Sequence, residues 1–157
     1  MRHAIKMLGL VFGLALSACG GDEGERFGPF VGTWRANAGT VASACPGYGS
    51  TTDALTGSAT WNTGVSSDLV STTALTSCPL MADVSGATAS GLPGQSCTAS
   101  DGVGGSSTVT FAGYTFVLSP DGHTATESSS GQITVVEQGV TVVCSFNETG
   151  SYQKISN

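Results

Sequence analysis

From Phe30 onward, short runs alternate apolar side chains with others, and no segment after residue 19 shows a convincing helical period. Thr108-Val109-Thr110-Phe111, Tyr114-Thr115-Phe116-Val117-Leu118 and Val142-Val143-Cys144-Ser145-Phe146 each alternate bulky and small or polar residues. Side chains of a strand point to opposite faces in turn, so this period marks strands with one face buried. Val142, Cys144 and Phe146 are expected on one face, Thr141, Val143 and Ser145 on the other. Turn chemistry punctuates the pattern: Cys45-Pro46-Gly47-Tyr48-Gly49, Ser85-Gly86, Leu92-Pro93-Gly94, Asp101-Gly102-Val103-Gly104-Gly105, Ser119-Pro120-Asp121-Gly122 and Gln138-Gly139. Proline presets one φ angle, and glycine accepts a positive one. Gln138-Gly139 between two alternating runs reads as a tight hairpin.

Short strands separated by turns every eight to twelve residues predict an all-β domain, an antiparallel meander of about 8–10 strands closed as an up-and-down barrel or stacked as a β-sandwich. The strands expected are 30–36, 54–62, 68–71, 80–84, 87–90, 95–98, 108–111, 114–118, 124–129, 132–137, 140–148 and a closing run at 151–155.

The first nineteen residues follow a different rule. Arg2 and Lys6 precede an uncharged apolar run, residues 7–16, and small residues follow at Ser17 and Ala18. This is the layout of a secretory signal peptide. As a helix the run spans about 15 Å, short of the roughly 20 residues a membrane span needs. Leu16-Ser17-Ala18-Cys19 resembles the lipobox of bacterial lipoprotein precursors. The resemblance implies a diacylglyceryl group on the Cys19 thiol and cleavage before Cys19. It also implies a membrane partner through that lipid, and several acyl chains on one residue anchor durably where one binds only marginally. Gly20 stands where an Asp signals inner-membrane retention in some of these proteins, which points to the outer membrane. The domain plan is a signal peptide at 1–18, a lipidated acidic tether at 19–29 and one domain at 30–157.

Cleavage leaves 139 residues with three Lys/Arg (Arg26, Arg35, Lys154) against eleven Asp/Glu, a formal net charge of −8. Such a chain repels phosphate backbones and has no basic patch, so nucleic acid is excluded as a partner. With Cys19 lipidated, Cys45, Cys78, Cys97 and Cys144 remain, an even number in an oxidising compartment, and two disulfides are expected. Three pairings are possible. Cys78–Cys97 is favoured because the two flank one short segment, which leaves Cys45–Cys144. A zinc site is the weaker alternative, since no C-x₂-C or Cys/His spacing occurs.

Chemistry-bearing motifs are few. His123 is the one histidine after the signal peptide and lies beside a Pro-Asp-Gly turn, where a solvated role is the simplest reading; no G-x-S-x-G elbow accompanies it. Asp53, Asp68, Asp83, Asp101, Asp121, Glu127, Glu137 and Glu148 are scattered and never locally paired, so they read as solvated surface carboxylates, although pairing in space stays open. The Gly102–Ser106 stretch lacks the Lys and the following helix of a phosphate loop. No metal or organic cofactor is implied. Trp34 and Trp61 are candidates for a ligand pocket, with core packing the alternative.

Gly32-Thr33-Trp34 resembles the G-x-W signature that opens lipocalin-like barrels. The resemblance implies a Trp packed beneath one end of a barrel, closure of the last strand, with Tyr152, against the first, and a small apolar ligand. The downstream T-D-Y motif is missing. The lipobox, Gly32-Thr33-Trp34, the spaced cysteines and Leu118-Ser119-Pro120-Asp121-Gly122 are also similar to small Ser/Thr/Gly-rich bacterial lipoproteins. The function expected is non-enzymatic: a lipid-anchored envelope protein that binds a small apolar ligand or an envelope partner. The alternatives are a structural subunit of an envelope complex and an envelope hydrolase using carboxylates or His123.

Overall fold

The computed structural model describes residues 26–72, 79–100, 102 and 104–157. Cys19 and Cys78 lie outside the described residues. The strands are β1 (Gly32–Cys45), β2 (Gly49–Ala54), β3 (Ser58–Thr63), β4 (Leu69–Thr72), β5 (Pro79–Ser85), β6 (Thr88–Gly91), β7 (Ser96–Ser100), β8 (Ser106–Leu118), β9 (Thr124–Glu137) and β10 (Val140–Ser156).

Every pairing is antiparallel. The order β10-β9-β8-β6-β5-β4-β3-β1 closes through β1–β10 into an eight-stranded up-and-down barrel, with β2 hairpinned onto β1 and β7 paired to β8. The closure is a barrel and not a sandwich. Eight strands leave an interior just wide enough for side chains to fill.

The strand lengths divide the molecule in two. The short strands β3 to β6 meet only the lower part of β1 and β8, at Gly32–Arg35 and Thr115–Val117. Above that level, β2-β1-β10-β9-β8-β7 continue as an open curved sheet. The closed end carries the turns at 64–68, 86–87 and 119–123 together with both ends of the domain. The open sheet ends at the 46–48 and 138–139 turns and where β7 gives way to β8.

Several expected boundaries merge. The runs 108–111 and 114–118 form one strand, β8, because the irregularity at Ala112 is a bulge within it. The runs 124–129 and 132–137 form β9, since Gly131 stays paired to Phe111 and Phe146. There a Cβ would overlap the Thr110 carbonyl and sit 2.8 Å from Phe146 Cε1. Gly131 therefore lets the rings of Phe111 and Phe146 meet edge to face at 5.8 Å. The stretch 50–53, assigned to no strand between the 45–49 loop and the expected run 54–62, belongs to β2, a fully exposed edge strand whose polar composition carries no alternation. The Gln138-Gly139 hairpin forms as expected, with φ of 50° and 80°.

The folded body also begins earlier than Phe30. Phe27 and Phe30 are buried, and the Phe30 and Val31 amides donate to the Phe27 carbonyl at 2.9 and 3.2 Å. Arg26 pairs with Asp68 at 3.2 Å and donates to the Val84 carbonyl. Residues 26–29 thus belong to the closed end and not to the tether, because Phe27 and Phe30 supply apolar surface that caps the barrel.

Candidate functional site

The register places the inward side chains in cross-strand layers. Nearest the closed end, Trp34 lies over the capping segment, and its Nε1 donates to the Phe30 carbonyl at 2.8 Å. Above it come Ala36, Tyr152, Ala125 and Leu118, then Gly39, Gly150, Glu127 and Phe116, then Val41, Glu148, Ser129 and Tyr114. Ser43, Phe146, Gly131 and Phe111 form the next layer, and Cys45, Cys144, Ile133, Val109 and Cys97 the one above.

Aromatic rings fill the lower layers. Trp34 meets Phe116 at 5.2 Å, Phe116 meets Trp61 at 5.7 Å and Tyr152 at 5.6 Å, and Trp61 meets Tyr114 at 5.9 Å. Trp34 and Trp61 have no exposed surface. Their place is this ring cluster, and the larger surface depressions are lined by other residues.

Amid the rings sits a polar group that the alternation did not single out. Glu127 and Glu148, expected among solvated carboxylates, are 4% and 1% exposed. The correction has a geometric cause. Glu127 occupies an inward position of β9 between Phe116 and the bare backbone of Gly150, and Glu148 an inward position of β10 beside Ser129. Leu55, buried, covers the space above Gly39 and Gly150, and a Cβ on Gly150 would overlap its Cδ2.

Ser129 Oγ donates to Glu148 Oε2 at 3.4 Å. The Tyr114 and Tyr152 hydroxyls act on Glu127, yet neither completes a hydrogen bond of normal geometry, and Trp61 Nε1, Glu127 Oε2 and Glu148 Oε1 have no partner among the described residues. Burial raises both carboxyls, Glu148 to about 7, with the Glu127 charge pushing the same way. Burial and the facing carboxylates also raise Tyr114 and Tyr152. A buried carboxyl of this kind holds its proton at pH values where a solvated one has lost it.

The remaining candidates separate. His123 lies in the exposed 119–123 turn, where Asp121 accepts from its amide at 2.8 Å and from Ser119 Oγ at 2.5 Å. These bonds hold the Asp121 carboxyl below its ordinary range, the Ser119 hydroxyl most of all. Asp68 accepts from the Val84 amide at 2.8 Å as well as pairing with Arg26. Cys45 and Cys144 form a disulfide, as expected, and this removes the zinc alternative for those two thiols. Cys97 is disulfide-bonded too. Among the described residues, no group of three or more His, Cys, Asp or Glu is placed to hold a metal ion.

On the inner face of the open sheet, above the disulfide layer, lies a groove of about 650 Å³ lined by Cys45, Cys144, Val135, Val140, Val142 and Tyr48, with Glu137 and Gln138 at its rim. Tyr48 is 74% and Val140 57% exposed. Val142 and Val135 face each other across β10 and β9. The groove continues the interior face of the barrel past the level where β3 to β6 stop. The volume is in the range of small-molecule sites, which are concave and mostly apolar with a few polar groups. Alternation alone could not reveal it, because the same inward residues would be core if the short strands continued upward. The chain matches no protein-family model, no curated protein and no solved structure.

Proposed function

We propose that this protein is a lipid-anchored cell-envelope binding module, held by lipid on Cys19 to the outer membrane, that takes a small apolar ligand or an apolar segment of an envelope partner in the groove beside the Cys45–Cys144 disulfide. The observation that carries this reading is the groove itself: exposed Tyr48 and Val140 over Val135 and Val142, on a concave sheet stiffened by a disulfide. The ring-filled interior moves the ligand expectation from the barrel lumen, between Trp34 and Trp61, to this open end. The lipobox sequence supports export and anchoring.

Glu127 and Glu148 meet one requirement of an acid–base pair, convergence of perturbed carboxyls. Rings and Leu55 enclose them, an arrangement that stores protons and offers a substrate no approach, so binding is the reading favoured over hydrolysis.

The test uses the domain with Cys19→Ser, made in a periplasm, and an environment-sensitive apolar dye. The parent is expected to bind the dye saturably, and Val142→Arg to lose that binding with an unchanged far-UV spectrum. Equal binding by the variant, or none by the parent, would remove the groove from the reading.

A further inference from the structure

The point where the tether meets the domain limits which way the groove faces. The chain enters at the closed end, and residues 26–30 are fastened there. Phe27 and Phe30 are buried under the barrel, Trp34 Nε1 holds the Phe30 carbonyl, Arg26 pairs with Asp68, and Lys154 Nζ donates to the Pro29 carbonyl at 3.1 Å. The tether cannot lengthen itself by peeling this segment away without exposing two phenylalanines. Its greatest reach is therefore set by the seven residue-to-residue steps from Cys19 to Arg26, about 25 Å fully extended at ~3.6 Å per residue.

The groove lies at the other end. β10 runs 17 residues from the hairpin beside the groove to the closed end. At ~3.3 Å per residue and a barrel tilt of about 40°, this places the groove about 30 Å from the attachment point at its Cys144 edge and about 40 Å at its Val140 edge. An inverted molecule, groove against the bilayer, would need a tether longer than the one present. The closed end also carries Val65, fully exposed in the 64–68 turn, and Ile155, half exposed. Both are apolar side chains without cover.

We propose that the closed end is a lipid-facing surface, with Val65 and Ile155 at the headgroups, and that the groove is held away from the anchoring membrane. This rests on the lipid-anchored reading above. Its consequence is that the occupant of the groove arrives from the aqueous side or from an opposing surface, and is not drawn directly from the bilayer that holds the protein.

The experiment places the full lipidated protein in phosphatidylethanolamine/phosphatidylglycerol vesicles carrying brominated lipids. The emission added by Val65→Trp is compared with that added by Tyr48→Trp, each against the parent with Trp34 and Trp61. A roughly two-fold loss is expected for Val65→Trp, since interfacial side chains reach about 5–10 Å into the headgroup and acyl boundary, and none for Tyr48→Trp. Loss at Tyr48→Trp equal to that at Val65→Trp, or no loss at either, overturns the orientation while leaving the anchor intact. Failure of the protein to float with vesicles, together with a mass lacking diacylglycerol, overturns the anchored reading and the orientation with it.

Discussion

Replacing Glu148 with Gln tests whether the buried carboxyls work as the geometry implies. The Glu148 carboxyl is 1% exposed and is raised from 4.5 to about 7, by burial first and by the Glu127 charge second. Each pH unit corresponds to about 1.4 kcal/mol, so the full displacement is worth about 3 kcal/mol. Relaxation and water penetration weaken burial penalties in real interiors, which makes that figure an upper limit and about 1–3 kcal/mol the expectation.

The sign follows from proton linkage. The folded state holds the Glu148 proton at pH values where the unfolded chain has released it, so the folded state binds more protons between 4.5 and about 7. Stability is then fully present below 4.5, falls through that window and levels off above 7. Urea unfolding of the parent and Glu148→Gln across pH 4 to 9 measures the difference and cancels groups common to both, Asp121 included. The variant is expected to match or slightly trail the parent at pH 4 and to exceed it at pH 8. Glu127→Gln should in turn lower the Glu148 midpoint by removing the facing charge. A Glu148→Gln variant less stable than the parent at pH 8, with the slope between 5 and 7 unchanged, would refute the assignment of a destabilising buried charge.

Two further outcomes follow from the fold. Gly131→Ala brings a methyl group against the Thr110 carbonyl and 2.8 Å from Phe146; overpacking of this kind costs about 1–3 kcal/mol, read as a lower urea midpoint at unchanged slope. The double variant Cys45→Ser/Cys144→Ser frees a disulfide of sequence separation 99, and a closed loop near 100 residues corresponds to about 4–5 kcal/mol of lost chain-entropy stabilisation. Chemical denaturation under non-reducing conditions, which leaves the Cys97 bond in place, checks it.

The legible part of the site and the hidden part differ in their local contrast. Around Val142, Cys144 and Phe146 the inward residues are apolar and most of the outward ones polar, so the buried face could be read directly. Around Glu127 there is no such contrast. Thr124, Thr126, Ser128 and Ser130 flank it with Ala125 and Ser129 between, and either face of that stretch could have met water. Its burial is decided by its neighbours, Phe116 on β8 and Gly150 on β10, through pairing across chain separations of 11 and 23 residues.

By itself, then, the sequence left three cysteine pairings open, of which the structure shows Cys45–Cys144, and determined the all-β class and the turns. Those properties rest on residue type and period, which act over a few neighbouring positions. Closure of β10 on β1 was implied by the Gly32-Thr33-Trp34 resemblance and is seen in the pairing of Ala36 with Tyr152; the tertiary structure decided the capping of the barrel by Phe27 and Phe30, the meeting of Glu127 with Glu148, and the stretch of inner sheet left open beside the disulfide. Each depends on where strands of unequal length stop against one another. Alternation states only that a strand has two faces; the pairing register and the height of the neighbouring strands determine which stretch of the inner face is covered.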